Sequence, residues 1–245
     1  MNITAVLRQL AQALLFPQAC VLCEKWVLSP DFRPLCPECF ASLERLDRRI
    51  CLSCGVKLPG VLEADALCSA CRDSPQPFDF ARAYGPYEGR LRDLIHKFKF
   101  DGLRRLSYPL AELMEESYRE GRLALQPHWI IPVPLHRRKR RERGYDQTLL
   151  LARVLSSRLK IPVFPGLSRI RATAPQYGLD VEARRHNISR AFALASASPV
   201  GGDVLLVDDI FTTGTTVAEI SRLLKRETEV KQIAVLTVAR VGRLF

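Results

Sequence analysis

All eight cysteines of the 245-residue chain fall in its first 71 residues, as four pairs at one spacing: Cys20/Cys23, Cys36/Cys39, Cys51/Cys54 and Cys68/Cys71. Two residues between cysteines let both thiolates face one ion, and four thiolates close a tetrahedral zinc site. No other feature restricts the front of the chain as strongly. The segment is too short to bury a core of its own, so metal would supply its folding energy. A disulfide framework is the competing reading, and four pairs at one spacing in a chain with reduced thiols fit it poorly. The inner gaps, twelve residues from Cys23 to Cys36 and thirteen from Cys54 to Cys68, suit two consecutive ribbons. A crossed arrangement, the first pair with the third, is the alternative. Both zinc sites would be structural, because no His or carboxylate offers an open coordination position.

The formal charge is +11. Two zinc ions, each held by four thiolates, carry a net −2 apiece and lower this to about +7. The balance still points to phosphates or nucleic acid as partners. Much of it lies in HRRKRRERG, residues 136–144, with six Lys/Arg and one Glu, which reads on its own as a solvated basic loop. No apolar run is long enough to span a membrane. Arg8, Gln9 and Gln12 interrupt the first apolar stretch, which reads as a short amphipathic helix (Ile3, Val6, Leu7, Leu10, Leu14, Leu15) rather than a leader. The expected location is cytoplasmic.

RDSPQPFDF, residues 72–80, carries two prolines and reads as a linker. Beyond it, strand and helix patterns alternate: ARAYGPY, then EGRLRDLIHKFKF; LSYPLAELMEESYRE, then WIIPVP; QTLLLARVLSSRLK, then DVLLVD; TVAEISRLLKRE, then VKQIAVLTVAR. This order predicts an α/β fold, a parallel sheet flanked by helices.

DVLLVDDIFTTGTTVAE, residues 203–219, places two acids, Asp208 and Asp209, at the end of a strand and a Thr/Gly loop at the start of a helix. Backbone N–H groups and the helix dipole at such a start suit a phosphate. Gly214 lets the backbone come close. The Gly-Lys-Thr/Ser ending of a nucleotide triphosphate loop is missing. The acids therefore serve another part of the same ligand, and carboxylates accept hydrogen bonds from vicinal hydroxyls. A ribose 5-phosphate satisfies the whole stretch.

VLLVDDIFTTGTT resembles the phosphoribosyl-diphosphate loop of type I phosphoribosyltransferases. That resemblance implies that Asp208 and Asp209 take the ribose hydroxyls, with magnesium accompanying the diphosphate. It places the 5-phosphate on Thr212, Thr213, Gly214, Thr215 and Thr216. DLIHKFKFDG (93–102), IIPVPLHRRKRRERGYDQ (130–147) and RIRATAPQYGLDVEARRHNISRAF (169–192) follow in order after the cysteines. Together, from Cys20 to Arg240, they resemble the competence protein F (ComF, GntX-like) family. This implies a helix and double zinc ribbon over residues 1–75 and a phosphoribosyltransferase-like domain over 79–245. It also implies a role in natural transformation, on internalised single-stranded DNA, with a ComFA-type helicase and a recombination mediator as partners. Asp146 stands where the family usually has Asn, and Ala183 where it usually has Glu, with Glu182 one place earlier.

By the same resemblance, Pro134, His136, Arg137, Arg138 and Arg143 form the diphosphate loop, and Gln176, Arg184 and Asn187 belong to a closing lid. No activated nucleophile stands out, so chemistry at the anomeric carbon would rest on positioning and charge, with Asp208, Asp209 and Arg137 as the catalytic candidates. Lys97, Lys99, Arg104 and Arg105, with Arg140 and Arg141, are the candidates for single-stranded DNA. Phe98 and Phe100 interleave the first of these strips as stacking rings or as core residues. Two function classes follow: a DNA-uptake factor that grips ribose phosphate, and an active phosphoribosyltransferase with an unnamed acceptor.

Overall fold

The computed structural model describes residues 18–27, 34–46, 49–60, 66–120, 125–171, 190–195 and 200–242. The helix expected within residues 3–15 and the lid residues Gln176, Arg184 and Asn187 lie outside them. Gln18–Ala19 (β1) and Trp26–Val27 (β2) form an antiparallel hairpin around the Cys20–Cys23 turn. Pro37–Ala41 (α1) starts at Cys36, whose sulfur accepts the Cys39 N–H as a helix cap. Cys68 stands in the same place before Ser69–Asp73 (α2).

The sulfurs of Cys20, Cys23, Cys36 and Cys39 lie within 4.8 Å of one another, and so do those of Cys51, Cys54, Cys68 and Cys71. Consecutive pairs therefore share a site, and the crossed arrangement is out. None of the eight cysteines is joined in a disulfide. Cys23–Cys36 and Cys54–Cys68 are each separated by 3.7 Å between sulfurs. A tetrahedral ion with zinc–sulfur bonds of about 2.3 Å needs sulfurs about 3.8 Å apart. The two tetrads fit structural zinc.

The second part alternates as the sequence predicts. Phe80–Pro86 (β3) leads to Gly89–Phe100 (α3), a turn at Arg104–Leu106, and Ser107–Glu120 (α4). Trp129–Pro132 (β4) leads to Arg137–Arg143 (α5) and Gln147–Leu159 (α6). Leu167–Arg169 (β5) and Phe192–Leu194 (β6) make a small antiparallel pair. Gly201–Phe211 (β7), Thr215–Glu227 (α7) and Glu229–Arg240 (β8) complete the described fold. The main sheet is parallel, in the order β3-β8-β7-β4. Both faces are covered, which is why its strands read as unbroken apolar runs. Leu205, Val207, Ala234 and Leu236 join the core with α3, α4 and α6. Val204, Leu206, Ile233 and Val235 face the other way, against Val217, Ile220 and Leu224 of α7.

The cysteine segment covers the sheet's β3 edge, which would otherwise expose unpaired backbone groups. The Ala81 N–H donates to the Ser53 carbonyl at 2.6 Å, and the Leu46 N–H to that of Tyr84 at 2.8 Å. A Cβ on Gly85 would lie 2.2 Å from the Glu44 carbonyl oxygen, so only glycine lets the two backbones meet there. The stretch that reads as a linker is packed. Phe78 is buried in the second core, and the Asp79 carboxylate accepts the Ile233 N–H at 2.7 Å.

Two local readings change. β7 does not stop at the acids but carries both to Phe211, because β8 pairs alongside it as far as Arg240. Residues 137–143 are a helix and not a loop. The His136 ring caps its start, Gly144 ends it with φ of +73°, and Arg138 pairs with Glu142 one turn on.

Candidate functional site

A cavity of about 220 Å³ opens at the carboxyl ends of β4 and β7, where parallel sheets hold ligands. Its floor is the acid pair. Asp209 is 4% exposed; one carboxylate oxygen takes Lys99 Nζ at 2.8 Å and the other the Gln147 side-chain N–H at 3.0 Å. Lys99 belongs to the end of α3 and Gln147 to the first turn of α6, so two helices from one face of the sheet meet on one carboxylate. Removing one partner of a buried pair like this costs about 3–5 kcal/mol. Asp208 accepts the Asp209 N–H at 2.9 Å. Burial and the neighbouring Asp209 carboxylate push the Asp208 carboxyl up to about 8, against the pull of Lys99 and Arg169.

Above the acids, Thr212, Gly214 and Thr216 line the cavity. Gly214, at φ of +77°, is the cap of α7, whose apolar stripe anchors it to the sheet. The hydroxyls of Thr213 and Thr215 bond each other at 2.8 Å and are not in the lining. Four cations line the same space: Lys99, Lys139, Arg143 and Arg169. Burial and the charges of Arg169, Arg143 and Lys99 hold the Lys139 ammonium below its usual range. Like charges crowded this way favour an anion among them. The buried Gln147 carbonyl oxygen and Arg143 Nη1 have no partner of their own.

Of the diphosphate-loop candidates, Pro134 and Arg143 line the cavity. His136 caps α5, while Arg137 and Arg138 stand exposed on it. Arg140 and Arg141 share that exposure, as do Arg104, which bonds the Gly144 carbonyl at 2.9 Å, and Arg105. Lys97 is half-buried near Asp101, and Lys99 points into the cavity instead of along the same strip. Phe98 is fully buried and Phe100 is 59% exposed. Sequence reasoning passed over Lys139, Arg169, Gln147 and Thr148 as lining residues. For Lys139 the signal was present: it lies four residues before Arg143, on the same helical face.

The family models match residues 11–74 as a double zinc ribbon domain and residues 146–243 as a phosphoribosyl transferase domain. DNA utilization protein YhgH of Escherichia coli O157:H7 is 35% identical over 215 residues, which cover 86% of this chain and 92% of that one. Competence protein F of Haemophilus influenzae is 37% identical over 180 residues, covering 71% of this chain and 78% of that one. The chain belongs to the competence protein F family. Among solved structures, adenine phosphoribosyltransferase from Saccharomyces cerevisiae resembles this family member at 18% identity, with a TM-score of 0.35, over 57% of this chain and 79% of that one. At that score the likeness carries no argument about the site. Among the described residues no helix is long and apolar enough to cross a membrane.

The raised carboxyl of Asp208 fixes a pH dependence. Unfolded, it titrates near 3.8; folded, near 8. Between those values the native state holds more protons than the unfolded one, so stability falls as pH rises through that window. Denaturant titrations at pH 5 and pH 8 will show a smaller fall in Asp208→Asn than in wild type, the difference being at most about 1.4 kcal/mol per pH unit. Parallel curves would contradict the assignment.

Proposed function

We propose that the cavity binds phosphoribosyl diphosphate, or a related ribose phosphate, and that the protein uses this site in handling internalised single-stranded DNA during natural transformation. The observation that carries the reading is the meeting, in one cavity, of an acid pair, a glycine-capped helix start and four cations. Each suits a different part of the ligand. The diol hydroxyls donate to Asp208 and Asp209. The 5-phosphate sits on the Thr212–Thr216 backbone. The diphosphate lies toward Lys139, a point charge, and toward Arg143 and Arg169, whose forked donors suit it. Lys99 and Gln147, each bonded to one of its oxygens, hold the Asp209 side chain in place.

Among the described residues the metal-ligand clusters are the two cysteine tetrads. Magnesium would therefore arrive with the diphosphate, holding water and phosphate oxygens, and would neutralise charge on the leaving group. The names carried by the relatives, competence protein F and DNA utilization protein, support the transformation role. A ComFA-type helicase and a recombination mediator are the partners the family resemblance suggests.

Calorimetric titration of the zinc-loaded protein with phosphoribosyl diphosphate and magnesium tests the site. Wild type will bind, and Asp208→Asn/Asp209→Asn will lose that binding. Equal binding by both would sink the assignment of the acids, and no binding by wild type would sink the site itself.

The basic run divides across α5: Lys139 and Arg143 line the cavity, while Arg137, Arg138, Arg140 and Arg141 are exposed. The exposed set is the proposed surface for single-stranded DNA. Its affinity will fall steeply with salt, and Arg137→Ala/Arg138→Ala/Arg140→Ala will flatten the slope of log affinity against log salt by about two units. An unchanged slope removes α5 from the DNA surface.

A further inference from the structure

The second cysteine tetrad and the Thr/Gly loop are joined by one buried arginine. Arg240, at the end of β8, is 7% exposed. Its Nη2 donates to Cys54 Sγ at 3.4 Å, and its guanidinium carbon lies 4.4 Å from the centre of the Phe211 ring. Nε and Nη1 are buried without hydrogen-bond partners. The group beside it that becomes anionic on holding metal is the tetrad Cys51, Cys54, Cys68 and Cys71. The Phe211 ring in turn supports the loop, since a Cβ on Gly214 would sit 2.6 Å from its Cζ. The Val241 N–H donates to the Phe211 carbonyl at 2.9 Å, tying the two strand ends together.

A buried guanidinium is costly unless an opposite charge holds it. Four thiolates around zinc keep a net −2 and supply that charge. The first tetrad is placed differently. Its neighbouring cation, Arg90, is exposed, reaches Cys39 Sγ only at 3.9 Å, and bonds Ser42 at 2.7 Å. No cysteine of either tetrad lines the cavity, but Arg240 links the second tetrad to Phe211, which does, whereas Arg90 joins Cys39 to Ser42 within the first cysteine segment.

We propose that the filled second tetrad is the counter-ion that seats Arg240, and through Arg240 and Phe211 holds the Thr212–Thr216 loop in its phosphate-binding shape. Arg240 is thus a positioning residue, and metal in the second tetrad regulates the site while metal in the first does not. The inference rests on the ribose-phosphate reading for its ligand, but not for the loop's order. Coupling of this kind is reciprocal: a ligand that the metal favours must favour the metal equally.

The test uses the full chain, purified with zinc present, in five forms: wild type, Arg240→Met, Arg240→Lys, Cys68→Ser/Cys71→Ser and Cys36→Ser/Cys39→Ser. Three quantities are read: zinc content by a coloured chelator, amide hydrogen exchange of residues 211–217 without ligand, and affinity for phosphoribosyl diphosphate. Arg240→Met with both zincs retained will exchange faster in the loop and bind about tenfold more weakly. Arg240→Lys will recover part of both. The second-tetrad pair will behave like Arg240→Met, and the first-tetrad pair like wild type. Phosphoribosyl diphosphate will slow chelator removal of one zinc of the two. Wild-type exchange in Arg240→Met, or equal loosening from both cysteine pairs, overturns the proposal. If Arg240→Met does not fold, Arg240→Lys and the two cysteine pairs still decide it. If wild type fails to bind the ligand, the reading of the site fails, and hydrogen exchange still judges the coupling.

Discussion

The parallel ladder between β7 and β8 is the interaction on which the rest depends. It runs from Gly201 opposite Glu229 to Phe211 opposite Arg240, beyond the apolar stretch of either strand. That overrun carries Asp208 and Asp209 inside a hydrogen-bonded frame, where their backbone cannot relax away from each other. It also sets Arg240 beside Phe211, and so puts the cysteine ribbons within reach of the loop. A shorter ladder would leave the acids in a flexible turn, each free to find water.

Two carboxylates held together at the edge of a core repel, and the cavity answers with cations from three directions. Lys99 comes from α3, Lys139 and Arg143 from α5, and Arg169 from β5. The result is a cavity of mixed sign, acid at the floor and base at the wall. A DNA backbone alone gains little from the acids, and a metal alone gains little from the cations. A phosphorylated diol uses both, which is why the ribose-phosphate reading accounts for more of the cavity than either partial ligand would.

Much of this was legible in the residues. Cysteine spacing pointed to two tetrads, because a closed tetrahedral site needs four thiolates from short, turn-forming segments. It favoured consecutive pairing but left the crossed one open, and only the placement of the sulfurs decides between them. The alternating apolar pattern pointed to the parallel sheet, and the Asp-Asp-Ile-Phe-Thr-Thr-Gly stretch to the acids at its carboxyl end. What stayed hidden depended on tertiary contact. Lys99 reads as one cation of a surface strip until α3 folds back onto Asp209. Gln147 and Thr148 carry no charge to draw notice. Arg240 reads as the polar end of a strand, and its place between Cys54 and Phe211 exists only once the ribbons cover the β3 edge. The helix at 137–143 was missed because six basic residues suggest a solvated loop, although Arg, Lys and Glu are good helix formers and a glycine follows to end it.

The diol assignment is the centre of the account, and one pair of titrations isolates it. Ribose 5-phosphate and 2-deoxyribose 5-phosphate differ by a single hydroxyl, the one that the acids alone would recognise. Calorimetry on the zinc-loaded wild-type protein should give an affinity about tenfold or more weaker for the deoxy sugar, because one hydrogen bond between the ligand and the acid pair is then lost. Equal affinities would mean that Asp208 and Asp209 do not hold the ribose, and the central claim would fall.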